Sequence, residues 1–171
     1  MIPNPNLREI NGRYYTQSLV SHQRVYGEKL VEEGNVSWRE WNPFRSKLCA
    51  ALHSGLEELR IRPKDNVLYL GCAEGTSCSH VSDLVGNDGL VFGVDISPQA
   101  LMKFTQLAET RENMLPLLAD ANAPEKYSQE LEDFPLHTIV QDISQKNQAE
   151  IFVKNMQTFG KKGTQGYLVV K

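Results

Sequence analysis

The segment Val67-Leu68-Tyr69-Leu70-Gly71-Cys72-Ala73-Glu74-Gly75-Thr76-Ser77 sets an apolar strand, a turn of small residues and the start of a helix in direct succession. Small residues let a backbone approach a ligand closely, and a helix N-terminus offers unpaired N–H groups to a carboxylate or phosphate. A dinucleotide fingerprint, G-x-G-x-x-G, would need glycine at positions 71, 73 and 76. The sequence has Gly71, Ala73 and Thr76 there, so two of the three glycines are missing. A purely structural tight turn is the alternative reading of the same residues. Two acids extend the pattern. Asp95 ends the next apolar stretch, twenty residues after Gly75, where a carboxylate can accept from both hydroxyls of a ribose. Asp120, followed by Ala121, comes after a third stretch, where an open α/β sheet binds its ligand and an acid can accept from an adenine amino group. Either acid alone reads equally well as a helix cap or a loop-solvating residue. Three such positions at one sheet edge point together to a bound ligand.

Positions of this kind need alternating strands and helices to align them. Strands are predicted at Val67–Leu70, Leu90–Val94, Met114–Leu118, His137–Gln141 and Tyr167–Val170, and helices at about Thr76–Val85, Pro98–Thr110 and Asn147–Phe159. That alternation predicts an α/β fold with a parallel sheet of about five strands. Before it, Leu48, Ala51, Leu52, Leu56 and Leu59 recur at three- and four-residue spacing, predicting one helix from Asn42-Pro43 to Arg62-Pro63. Earlier still, Asn11-Gly12 and Glu33-Gly34-Asn35 are turn signals between short β-like pieces, among them Tyr14-Tyr15 and Arg24-Val25-Tyr26-Gly27. The chain therefore divides into a small β appendage, residues 1–37, and a larger α/β domain, residues 38–171.

The 171 residues are 40% hydrophobic and 23% charged, the balance of a globular chain rather than a disordered one. No apolar run is long enough to span a bilayer, and the start lacks the order of a secretory signal, so a cytoplasmic protein without membrane contact is expected. Cys49, Cys72 and Cys78 lack the paired spacing of a metal site and are expected to be buried thiols; no metal is predicted. The net charge of −3 argues against a broadly basic RNA-binding surface. Yet residues 1–47 hold seven Lys or Arg against five acids, and Arg39, Arg45 and Lys47 cluster with Trp38, Trp41 and Phe44. Such a mixture can meet phosphate and base faces, or it can be core aromatics beside a solvated charged face.

The G-x-A-x-G-T/S order of Gly71–Ser77 resembles the first motif of methyltransferases that bind S-adenosylmethionine. A longer stretch is more specific: Arg39-Glu40-Trp41-Asn42-Pro43-Phe44-Arg45-Ser46-Lys47-Leu48 resembles the R-E/V-W-N-P-F/Y-R-S-K-L signature of fibrillarins, the 2′-O-methyltransferases of guide-RNA particles. Arg24 to Glu28, Ser79 to Gly86, Gln141-Asp142 and Asn147 to Ile151 fall in the same order, and the resemblance runs from Leu7 to Lys171. Lacking a glycine- and arginine-rich tail, the sequence is more similar to the archaeal members. The resemblance implies a Rossmann-like S-adenosylmethionine-dependent methyltransferase sheet, here without the strand pair that continues it in the family, behind a small N-terminal β appendage. It also implies cofactor contacts from Gly71, Ala73, Gly75, Thr76, Ser77, Asp95, Ile96, Asp120, Ala121, Asp142, Ile143, Ser144 and Gln145.

For catalysis, the resemblance places Asp142 where it orients or accepts from the ribose 2′-hydroxyl, with Lys47 and Lys171 as cations tuning the site. Arg39 and Arg45 are the expected RNA contacts. The implied partners are a box C/D guide RNA with its rRNA or tRNA target, a Nop5-type scaffold protein and, through the particle, an L7Ae-type protein. The implied location is cytoplasmic in an archaeon and nucleolar in a eukaryote. Departures from the family pattern are Glu74 in place of serine, Asp95 in place of glutamate, and Ser144 and Lys146 in place of alanine and proline. The competing readings are a non-catalytic subunit of the same particle, a methyltransferase working without guide RNA, and a dinucleotide-dependent oxidoreductase on the same architecture.

Overall fold

A computed structural model describes residues 4–171; residues 1–3, the start of the expected appendage, lie outside it. Residues 7–40 build an antiparallel sheet from β1 (Leu7–Ile10), β2 (Arg13–Gln17), β3 (Leu30–Glu33) and β4 (Val36–Glu40), in the order β1-β2-β4-β3. Both predicted turns are present, between β1 and β2 and between β3 and β4. Arg24–Gly27 is not a strand: Glu28 folds back so that its carboxylate accepts from the N–H groups of Val25 and Tyr26, which closes a turn. The division expected after residue 37 falls inside β4, whose Trp38 and Arg39 pair with both β2 and β3, so the sheet ends at Glu40.

The rest is the predicted α/β alternation: β5 (Asn66–Leu70), α2 (Thr76–Val85), β6 (Leu90–Asp95), α3 (Pro98–Ala108), β7 (Met114–Leu118), β8 (Thr138–Gln141), α4 (Gln148–Phe159) and β9 (Gln165–Leu168). All five strands are parallel, in the order β7-β6-β5-β8-β9. The chain steps outward from β5 to β7, then returns to the other side of β5, so the crevice at the carboxyl ends of β5 and β8 is the switch point of the sheet. The strands are apolar on both faces because helices cover both. Val67 and Tyr69 face the layer of α2 and α3, while Leu68 and Leu70 face α4 and the connection carrying Tyr127, Leu131 and Leu136. Each fully buried Leu, Ile or Val in these layers contributes about 2 kcal/mol.

The helix predicted across residues 43–62 is shorter. Helix α1 spans Lys47–His53 and stops at Ser54-Gly55, where Gly55 takes φ +99°. A left-handed residue there turns the chain away, although Leu59 beyond it still reaches the core. All three cysteines are buried free thiols. Among the described residues no helix is long and apolar enough to cross a membrane.

Sheet and domain are joined by buried charge. Asp83 of α2 accepts from Arg39 (2.8 Å), Arg111 (2.6 Å), the Thr16 hydroxyl (2.8 Å) and the Leu19 N–H (3.0 Å). Arg39 also donates to Glu28 at 2.6 Å and to Ser79 at 2.8 Å. Burial alone would raise Glu28, but Arg39 and the two turn amides hold it below the usual carboxylate range. His80 stacks on Trp41, its Nδ1 lies 2.7 Å from the Thr16 hydroxyl and its Nε2 2.7 Å from the Tyr26 hydroxyl. With the Thr16 proton on Asp83, a neutral His80 donates from Nδ1 and accepts at Nε2 from the Tyr26 hydroxyl, for whose proton the Glu40 carbonyl at 3.1 Å competes. Burial, reinforced by Arg39 and Arg111, pushes the imidazole well below its ordinary value.

Candidate functional site

The turn after β5 is built by close backbone approach. Gly71 has φ +78°, and a Cβ placed there would collide with the carbonyl oxygen of Asp142. Only glycine lets the loops after β5 and β8 touch in this way. The N–H groups of Gly71 and Cys72 donate to the Val94 carbonyl at 2.8 and 3.1 Å, and Asp142 N–H donates to the Leu70 carbonyl at 2.9 Å. Helix α2 then begins at Thr76 with Gly75 as its N-cap and no side chain capping its first amides. Those amides remain available to an anion.

Asp95, at the end of β6, accepts from Ala73 N–H and from Ser97 N–H, each at 2.9 Å. Each carboxylate oxygen therefore keeps a lone pair for a further donor. Asp120, after β7, accepts from Asn122 N–H at 2.8 Å through one oxygen, leaving the other open. A crevice of about 250 Å³ is lined by Gly71, Ala73, Asp95, Ile96, Asp120, Ala121, Asp142, Ile143, Ser144 and Gln145, with Val94 and Ala119. Ile96 is an exposed apolar side chain on its wall, 63% accessible. A second cavity of about 420 Å³ shares Gly71, Ala73 and Asp142 and adds Arg45, Tyr69, Cys72, Glu74, Thr76 and Ser77. Asp142 stands on the wall common to both. A larger hollow of about 830 Å³ lies between residues 55–60 and β9, away from this crevice, and none of the expected site residues lines it.

The Lys171 ammonium lies 2.6 Å from Asp142 Oδ1 and donates to Ser144 Oγ at 3.2 Å, so two of the three expected catalytic residues are in contact. Lys47 is not in that contact. It is exposed at the first position of α1 and lines neither cavity, although its neighbour Ser46 accepts from the Ser77 hydroxyl at 3.0 Å and Arg45 reaches the larger one. Arg39, expected to meet RNA, is fully buried in the Glu28 and Asp83 pairs and has no surface to offer. That expectation is corrected: of the clustered basic residues, Arg39 within β4 is core, whereas Arg45 and Lys47 beyond the strand are exposed. Trp38 and Trp41 are likewise core, whereas Phe44 is 93% exposed beside Arg45. Glu74 extends from the loop to Lys103 of α3, 2.5 Å away.

Sequence reasoning missed Tyr69 as a wall of the larger cavity. Its signal was a polar atom in an otherwise apolar strand, on the face that alternation assigns to α2.

The fibrillarin family model matches residues 6–171. A fibrillarin-like rRNA/tRNA 2′-O-methyltransferase of Methanococcus voltae is 45% identical over 93% of this chain and 68% of its own length. The crystal structure of Aeropyrum pernix fibrillarin with natively bound S-adenosyl-L-methionine superposes with a TM-score of 0.90 at 38% identity, covering 96% of this chain and 72% of that one. A fibrillarin/Nop5p complex superposes with a TM-score of 0.80 at 40% identity, over 91% and 70% of the two chains.

Proposed function

This chain belongs to the fibrillarin family, and from that premise we propose that it methylates the ribose 2′-hydroxyl of rRNA and tRNA as the catalytic subunit of a box C/D guide-RNA particle in pre-rRNA processing. The observation that carries the reading is Asp142, on the wall shared by two cavities at the switch point of the sheet and paired with the Lys171 ammonium. The residues present fit S-adenosylmethionine. Asp95 keeps acceptor capacity on both oxygens for the ribose hydroxyls, Asp120 keeps one oxygen for the adenine amine, and Ile96 offers an apolar face beside it. The uncapped start of α2, at Thr76 and Ser77, suits the cofactor carboxylate. Gly71, Ala73 and Gly75 keep the loop close, and Ala121, Ile143, Ser144 and Gln145 complete the crevice. Bound there, the cofactor supplies an electrophilic sulfonium methyl.

Asp142 accepts the proton of the attacking hydroxyl, and Lys171 fixes the orientation of that carboxylate. Lys47, at the start of α1, supplies a second cation above the same end of the sheet, and Arg45 meets a phosphate of the target strand. Choice of nucleotide belongs to pairing with the guide, which accounts for an RNA enzyme with no broad basic excess. A Nop5-type scaffold holds the chain in the particle and an L7Ae-type protein joins through the RNA, in the cytoplasm of an archaeal cell.

The test is reconstitution with scaffold, L7Ae-type protein and guide, followed by single-turnover methylation. Asp142→Asn should lower the rate about hundredfold while cofactor affinity and melting temperature hold. A wild-type chain that binds the cofactor and assembles yet leaves the target ribose unmethylated would be a non-catalytic subunit, and the enzymatic reading would fall.

A further inference from the structure

The turn between β4 and α1 presents its most apolar side chain to water. Phe44 is 93% exposed, more than any other large hydrophobic side chain among the described residues. A single exposed apolar residue is ordinary on a protein surface; this one differs in how it is held and in where it stands. Asn42 Oδ1 accepts from the Phe44 N–H at 2.8 Å, and the Asn42 carbonyl accepts from the Arg45 N–H at 3.1 Å. Pro43 fixes the backbone between them. Trp41 before the turn and Ser46 after it are buried, so both ends are anchored and the ring stands at the tip of a braced turn. Its place is the rim of the reaction space. Arg45, the next residue, lines the cavity of about 420 Å³ together with Asp142, and Ser46 accepts from the Ser77 hydroxyl of the same cavity wall at 3.0 Å. Arg45 and Lys47 are both exposed, no acid lies between Trp41 and Lys47, and Glu40 before them is paired with Arg13 at 2.9 Å. An apolar ring beside two cations complements a polyanion whose sugars also offer carbon surface.

In a target strand paired with its guide, base faces are stacked inside the helix and the 2′-hydroxyls line the wide, shallow minor groove. A cavity that brings Asp142 to a paired 2′-hydroxyl therefore opens toward that groove, and an aromatic ring on its rim meets the carbon face of neighbouring riboses rather than a base. We propose that Phe44 packs into the minor groove of the guide–target duplex, against riboses flanking the acceptor nucleotide, with Arg45 reaching a phosphate beside it. This rests on the 2′-O-methyltransferase reading above. The contact reads helix shape and no base sequence, in keeping with a choice of nucleotide left to the guide. It seats the duplex so that the acceptor hydroxyl meets Asp142 at one depth and angle.

The experiment uses the assembled particle with wild type, Phe44→Ala and Phe44→Leu. Because the ring is exposed in the free chain, both variants should keep the wild-type melting temperature and S-adenosylmethionine affinity. Single-turnover methylation at saturating target should fall about tenfold in Phe44→Ala and by less than about threefold in Phe44→Leu, since packing on riboses needs apolar volume and not a flat ring. An equal loss in both variants overturns the proposal in favour of stacking on an unpaired base. So does a change confined to cofactor affinity, which would make the ring a cofactor contact. Photocrosslinking from a benzophenone amino acid in place of Phe44 supplies a readout apart from turnover. Its adducts should fall on riboses of the duplex beside the acceptor; adducts on the scaffold protein instead, or none on the RNA, overturn the contact. A wild type that methylates beside an equally active Phe44→Ala sinks this proposal alone. A wild type that never methylates sinks the functional reading, while the crosslink still decides what Phe44 touches.

Discussion

Helix α2 takes part in two regions that treat polar groups in opposite ways. Along its length, Ser79, His80 and Asp83 enter a buried network in which Asp83 answers two guanidinium groups, a hydroxyl and an amide. At its start, Thr76 and Ser77 border a cavity where the first amides are uncapped, Asp95 and Asp120 keep acceptor capacity, and Lys171 is partly exposed. The first region pairs its charges within itself, leaving only Arg111 Nε and Trp41 Nε1 without a partner among the described residues, and holds its geometry without help from a ligand. The second leaves bonding capacity open and depends on the first to keep it in place. A buried charge network is costly to desolvate and unforgiving of a missing member, which suits a joint but not a binding site.

Removing Asp83 should break the comparison most sharply. Asp83→Ala leaves Arg39 and Arg111 facing each other without their shared carboxylate, and should cost about 4 kcal/mol by chemical denaturation. Smaller is Asp95→Asn, which keeps one acceptor for the loop amides but weakens charge-assisted bonds to a ribose. Calorimetry should show cofactor affinity down by about 2 kcal/mol, near thirtyfold, with stability falling by only about 1 kcal/mol for the one loop amide that loses its acceptor. An equal loss of stability would mean that the site is as tightly built as the joint.

The pH dependence of the joint comes next in size. His80 is neutral when folded and has an ordinary value of 6.5 when unfolded, so the unfolded chain binds the extra proton. Stability should therefore be level above pH 6.5 and fall as pH drops below it, approaching about 1.4 kcal/mol per pH unit. His80→Asn should flatten denaturation midpoints measured between pH 6.5 and about pH 5. Smallest is Glu74→Ser. Its pair with Lys103 is more than half exposed on both sides, so cofactor affinity should change by less than about threefold and stability by under about 0.5 kcal/mol.

The site was more legible in the sequence than the joint. Gly71, Asp95, Asp120 and Asp142 each end or follow a strand, and in a parallel sheet the carboxyl end of a strand is a place in space, so local order alone brings them together. Asp83 and Arg39 are 44 residues apart and on different sheets or helices; nothing in the spacing of either says that they meet. Arg39 therefore read as surface from its residue type, although strand β4 carries it inward. The length of α1 was misread for a related reason. Leu56 and Leu59 continue the helical spacing past Gly55 because they pack against the same core from an irregular segment, and periodicity registers burial rather than backbone. Tyr69 was passed over because a tyrosine in a buried strand satisfies the pattern whether or not it also borders a cavity.

The separation between Arg39 and Asp83 also orders events in time. A ribosome releases the antiparallel sheet before the α/β domain, and its neighbouring strands can pair as soon as they emerge. Arg39 then waits for a carboxylate that follows 44 residues later, and Arg111 must appear later still before the charges balance. The antiparallel sheet is thus made before the α/β domain and finished only with it, so the two mature as one cooperative unit.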